Sequence, residues 1–165
     1  MIYGYGNPGR QDDALGIKLT NQMEIWSEER KFQFLDFDSN YQLNIEDALL
    51  TSEYDLIIFA DASTEEISHF SITRVMPNEK TEFSMHAISP AFVLHLCQKL
   101  YRRFPKVYLL HIKGFEFEFL GNLTKKAKEN LELAVGFLTD ILEKSAFPDD
   151  LLEDFVTDIE EVKIN

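Results

Sequence analysis

Short unbroken apolar runs and longer stretches with a helical repeat take turns along this chain of 165 residues. Residues 1–6 read as a strand, cut off by the turn signal Asn7-Pro8-Gly9. A helix follows from about residue 12 to 29, with Leu15, Leu19, Met23 and Trp26 spaced four, four and three apart on one stripe. Residues 32–36 are expected to form a second strand, and 42–50 a short helix. The run LIIFADA at 56–62 is nearly all apolar, the pattern of a central strand covered on both faces. Residues 70–74 form a weaker strand pattern. Ser89-Pro90 opens the next helix, with Ser as N-cap and Pro at the first helical position. Its apolar stripe is Val93, Leu96, Cys97 and Leu100. Residues 107–112 read as another buried strand. The longest helix runs from Thr124 to about Lys144, striped by Ala127, Leu131, Val135, Leu138 and Leu142, with Ala134 and Ile141 beside them.

Strands alternating with helices predict an α/β fold in three layers, α/β/α. The sheet is expected to be mostly parallel and twisted, with about five strands and helices on both faces. One domain is expected over residues 1–144. Residues 145–165 are an acidic extension, part of that domain or packed on it. Function in such a sheet gathers at the carboxyl ends of the strands.

Composition narrows the class. Hydrophobic residues make up 45% of the chain, enough for a sizeable core. The net charge of −13 disfavours phosphate backbones and anionic membranes, so no nucleic-acid or membrane partner is expected. It suits solubility and a basic protein partner. Within residues 147–165, seven acids stand against Lys163, so this segment holds −6 of the charge, the pattern of a solvated acidic face. The single cysteine excludes an internal disulfide and a Cys-rich metal cluster, and its place on an apolar stripe predicts an inert core thiol. With no membrane-spanning run and no signal-peptide pattern, a cytoplasmic location is expected.

Three segments place polar residues at or just beyond strand ends. The first is Gly4-Tyr5-Gly6-Asn7-Pro8-Gly9, followed by Asp12-Asp13. Its glycines allow a sharp turn, and the acids fall where a helix start favours negative charge. Capping alone would account for them. G-x-G-x-x-G is absent, and Pro8 removes an N–H that a phosphate cradle would use. The second is Asp61, an acid ending an apolar strand, where desolvation demands a partner. The third is Ser84-Met85-His86 before the Ser89-Pro90 helix start. His69, His95 and His111 are further imidazoles, the last two placed like structural residues. Two carboxylates and an imidazole could hold a divalent cation with an open position, if the fold brings them together. Neither G-x-S-x-G nor H-E-x-x-H occurs.

Taken in order, these segments resemble the hydrogenase maturation endopeptidases, which trim the carboxyl-terminal extension of the nickel–iron hydrogenase large subunit after nickel insertion. The opening motif of that family, a strand, G-x-G-N-x and a paired acid before a helix, is similar to GYGNPGRQDDALG at residues 4–16. Its strand ending in D-A is matched by FADA at 59–62, and its S-x-H segment by SMHAISP at 84–90. Gln42-Leu43, with Glu46 and Ala48, resembles the Q-L-x-x-E-x-A segment of the branch serving cytoplasmic, cofactor-coupled hydrogenases. Lys113-Gly114-Phe115-Glu116-Phe117 before Gly121-Asn122-Leu123 fits its G-x-x-F-E pattern. The resemblance covers residues 1 to about 143. Ala14 departs from it, standing where the family usually has Gly.

The resemblance implies a catalytic and metal-contacting set of Asp13, Asp61 and His86, with Gly6, Asn7, Asp12 and Gln42 binding substrate. It also implies that the substrate brings the metal: nickel seated in the large-subunit precursor, with another divalent cation able to occupy the site in isolation. Two other readings compete. A chaperone of the same fold could sense metallation without cutting. Peptidyl-tRNA hydrolases share a G-x-G-N-P-G opening, but their pattern wants a His soon after it, where this chain reads RQDDALG, and a basic face.

Overall fold

The structure is a computed structural model that describes residues 1–79, 88–145 and 148–157. Strand β1 (Ile2–Tyr5) leads through a 3-10 turn (Gln11–Ala14) into helix α1 (Leu15–Arg30). Then come β2 (Phe37–Asn40), α2 (Asp47–Ser52), β3 (Leu56–Ser63) and β4 (Phe70–Arg74). Helix α3 (Pro90–Leu96) continues into a π-helical turn (Cys97–Tyr101), followed by β5 (Lys106–Lys113), α4 (Lys125–Lys144) and α5 (Asp149–Glu153).

The strands form one sheet in the order β2-β1-β3-β5-β4, parallel except for β4, which runs antiparallel on the edge beside β5. Residues on alternate strand positions serve opposite faces. Ile2, Ile58, Ala60, Tyr108, Leu110 and Ile112 pack with α1, α4 and α5 in one core. Tyr3, Ile57, Phe59 and Val107 pack with α2 and α3 in the other. The predicted three-layer α/β/α fold is therefore the observed one. Helix α1 lies unusually close to the sheet. A Cβ on Gly16 would meet the Ala60 carbonyl at 2.2 Å, and one on Gly4 would meet the Gly16 carbonyl at 2.1 Å.

Three expectations shift. The second strand begins at Phe37, not Phe32. Lys31 adopts a left-handed conformation after α1, and the N–H groups of Lys31 and Phe32 return to Glu28 and Ser27. That is a Schellman closure, in which the Phe32 ring packs 4.9 Å from Trp26. Phe32 is spent on ending the helix. The second helix begins at Asp47, not Gln42, because the Asp47 carboxylate accepts the Asn44 N–H at 2.7 Å and fixes a turn there. Leu100, expected on the stripe of α3, is exposed. The π-helical turn adds a residue per turn and rotates it away from the core.

Candidate functional site

Order reverses between β1 and β3. The connection from β1 goes to β2 on one side, and β3 lies on the other, so the carboxyl ends of β1 and β3 flank a crevice. Asp13 and Asp61 are both there. Gly6 ends β1 at φ 133°, a conformation that side chains rarely adopt, and its missing Cβ would lie 2.0 Å from the Asp13 carbonyl. The Asn7 N–H then donates to Asp13 Oδ2 at 3.1 Å, while the Asn7 side-chain Oδ1 accepts the Gly9 N–H. Asp13 sits partly exposed, inside the tight turn that opens α1.

Asp61 stands near the end of β3 with its Oδ1 accepting the Ala62 N–H at 2.8 Å. The Tyr5 hydroxyl, on the neighbouring strand end, hydrogen-bonds the same carboxyl group. Burial, joined by the charge of Asp13, pushes the Asp61 carboxyl up to about 7, against the opposing pull of the Ala62 N–H and the Tyr5 hydroxyl. Burial and the facing Asp61 also push the Tyr5 phenol upward, so it stays a donor. The described salt bridges pair no Lys or Arg with Asp13 or Asp61. Two carboxylates that feel each other's charge, with no Lys or Arg paired to them among the described residues, form a site that attracts a cation.

His86 lies outside the described residues, as do Ser84 and Met85. Ser89 begins α3 as expected, its hydroxyl accepting the Phe92 N–H. Among the described residues, no three His, Cys, Asp or Glu side chains gather as a metal site. Gly6 and Asn7 border Asp13 directly, whereas Gln42 is exposed on the loop after β2.

Asp12 departs from its expected role in binding substrate. Its side chain is wholly buried. Its two oxygens accept hydrogen bonds from the N–H groups of Phe115, Glu116 and Thr124 and from the Thr124 hydroxyl, at 2.7–3.1 Å. The paired acids therefore divide their work: Asp12 faces inward and fixes the loop between β5 and α4, and Asp13 faces the crevice. Adjacent acids in a 3-10 turn point in different directions, which a linear motif does not display.

Sequence reasoning passed over Tyr5 and the surroundings of His111. Period-two alternation already put Tyr3 and Tyr5 on one face of β1, the only signal for Tyr5. His111 pairs in register with Asp61, and paired residues on neighbouring strands share a face. Its ring contacts the Thr73 hydroxyl at 3.0 Å and lies 3.9 Å from Glu65. Burial lowers its pKa, with Glu65 opposing. Opposite it on β4, the Ser71 hydroxyl is buried without a hydrogen-bond partner among the described residues. The other described imidazoles are structural: His69 bonds Asn130, and His95 stacks on Phe92. A cleft of about 550 Å³ lies at the opposite, amino edge of the sheet, lined by Glu24, Asp36, Phe37 and Tyr54. It is distant from this chemistry.

Solved structures share this chain path. The [NiFe] hydrogenase maturation protease HycI from Thermococcus kodakarensis KOD1 superposes with a TM-score of 0.66 over 86% of this chain and 90% of that one. The chain has the fold of the hydrogenase maturation proteases. The maturating endopeptidase HybD from E. coli gives 0.61 over 87% and 91%, and the hydrogenase 2 maturation peptidase from Thaumarchaeota archaeon SCGC_AB-539-E09 gives 0.57 over 87% and 97%. Coverage is nearly complete on both sides, so the likeness spans the whole domain. Identities are only 18%, 20% and 15%, so it lies in the chain path far more than in the residues. No family model and no curated protein sequence matches the chain. No helix among the described residues is long and apolar enough to cross a membrane.

Proposed function

We propose that this protein is an endopeptidase that removes the carboxyl-terminal extension of a nickel–iron hydrogenase large-subunit precursor after nickel insertion. The observation that carries the reading is the meeting of Asp13 and Asp61, without a cationic partner among the described residues, at the switch-point crevice of a fold shared with maturation proteases. In this reading the nickel belongs to the substrate. Asp13, Asp61 and His86 contact it, so cleavage waits for completed metallation. Imidazole suits nickel, and the carboxylates supply charge. The substrate's nickel would polarise the scissile carbonyl or a water. Asp61, with a pKa near 7, can accept or release a proton at neutral pH, as a general base needs. Tyr5 holds that carboxyl group in place from β1. Cys97 is buried with its thiol toward the Arg103 carbonyl and offers no nucleophile, which favours direct attack by water.

The test is a processing assay with nickel-loaded and nickel-free precursor. The wild type should release the carboxyl-terminal peptide only from the nickel-loaded form. Asp61→Asn and Asp13→Asn should fold and bind but lose release by about a hundredfold or more. Undiminished release by both variants would remove the assignment. Binding without release by the wild type would instead make the protein a metallation sensor.

A further inference from the structure

The loop between β5 and α4 is pinned from several sides yet turns apolar groups outward. Besides the four hydrogen bonds to Asp12, the Arg10 Nε donates to the Phe117 carbonyl at 3.1 Å. The Gln11 side chain donates to Glu116 and accepts the Glu118 N–H, and the Leu120 N–H returns to the Gly9 carbonyl. Every one of these partners belongs to the turn that carries Asp13. On this fixed loop Phe115 is 44% exposed, Phe119 71% and Leu120 99%. Arg10 lies over the Phe119 ring at 5.3 Å, and Lys126 over Phe115 at 5.5 Å, holding both rings in place. Leu120 adopts φ 64°, which costs a bulky residue energy, and its side chain recovers none of that cost by burial. A strained, fully exposed leucine on an anchored loop does nothing for stability. Three exposed apolar side chains on one anchored loop mark a contact surface.

We propose that Phe115, Phe119 and Leu120 form the docking lip for the substrate peptide: an extended segment with apolar side chains adjoining a cationic centre. Charge decides the occupant. The apolar lip is pinned to the turn that carries Asp13, and the acid pair of Asp13 and Asp61 lacks a described cationic partner. A ligand that fills both must be apolar along one stretch and positive beside it. The assignment rests on the endopeptidase reading, in which the positive centre is the precursor's metal. Asp12 is then a positioning residue, because it joins the lip to the turn of Asp13.

The experiment compares wild type, Leu120→Asp and Phe119→Ser in cleavage of the nickel-loaded large-subunit precursor. Binding of the same precursor to Asp61→Asn, with and without Leu120→Asp, is measured in parallel. The expected result is a KM raised about tenfold with kcat within about twofold, and an equal loss of binding. Both substituted residues are solvent-facing, so circular dichroism should show an intact fold. If the wild type cleaves and both lip variants keep its KM, the lip is overturned and the endopeptidase reading stands. If the wild type does not cleave but binds, and Leu120→Asp abolishes binding, the lip stands and the endopeptidase reading falls. If no form binds, both fall.

Discussion

Asp12 and Asp61 are both acids taken out of water, and the fold treats them oppositely. Asp12 is surrounded by donors. Removing its carboxylate strands the N–H groups of Phe115, Glu116 and Thr124. Asp12→Ala should therefore lower stability by about 3 kcal/mol in urea unfolding, the cost of buried donors left without acceptors. Asp61 is held by one N–H, one phenol and an unfavourable neighbour, and its pKa rises to about 7. The folded state thus binds a proton that the unfolded chain has already released above the ordinary aspartate value of 3.8. Stability from this group is fully present below that value and is lost as pH rises toward 7. Asp61→Asn, measured without metal, should raise the urea midpoint at pH 8 relative to wild type, and the gain should shrink as pH falls toward 4. A constant gain across that range would mean that Asp61 titrates as an ordinary carboxylate.

The elements carry their own constraints. The approach of α1 to β1 and β3 depends on Gly4 and Gly16, where an added Cβ would strike backbone atoms that cannot swing aside. Gly16→Ala should push the start of α1 from the sheet and cost about 3 kcal/mol, seen as a lower midpoint in chemical denaturation. Asp13 lies in the turn just before, so the displacement should also weaken precursor processing. Helix starts were legible in the chain where a side chain caps its own backbone, as at Ser89 and Thr124. The shifted start of β2 was not. Phe32 is apolar whether it extends a strand or closes a helix, and only its packing on Trp26 decides.

Across the whole molecule, the described part of the acidic extension belongs to the core. Leu152 of α5 is wholly buried with the α1 and α4 side of the sheet. The Tyr108 hydroxyl sits between Asp149 and Glu153, 2.6 and 2.7 Å from their carboxylates, and its one proton serves either acid, while Arg74 and Lys106 pair with the same two acids. Val156 bridges Ile72, and the Thr157 N–H reaches the Ile72 carbonyl, which occupies part of the exposed edge of β4. The charge run reads as a solvated face, but two of its acids, Asp149 and Glu153, are set against specific partners on β4 and β5. Leu152→Ala should cost about 3 kcal/mol on cavity grounds, and hydrogen exchange at Ile72 and Thr157 should rise with it.

By itself, the sequence determined the alternation of strands and helices, the parallel three-layer fold and the identity of the acids at strand ends. These follow from periodicity and local capping, which are properties of neighbouring residues. The tertiary structure alone decided that Asp12 latches a loop while Asp13 faces the crevice, that Tyr5 supports Asp61, and that the described part of the acidic segment covers part of a sheet edge. Each depends on contacts between residues far apart in the chain: Asp12 meets Thr124, and Tyr108 meets Glu153. A local pattern cannot encode which distant donor completes a buried acid. Packing fixes that partner, and with it the direction in which each carboxylate works.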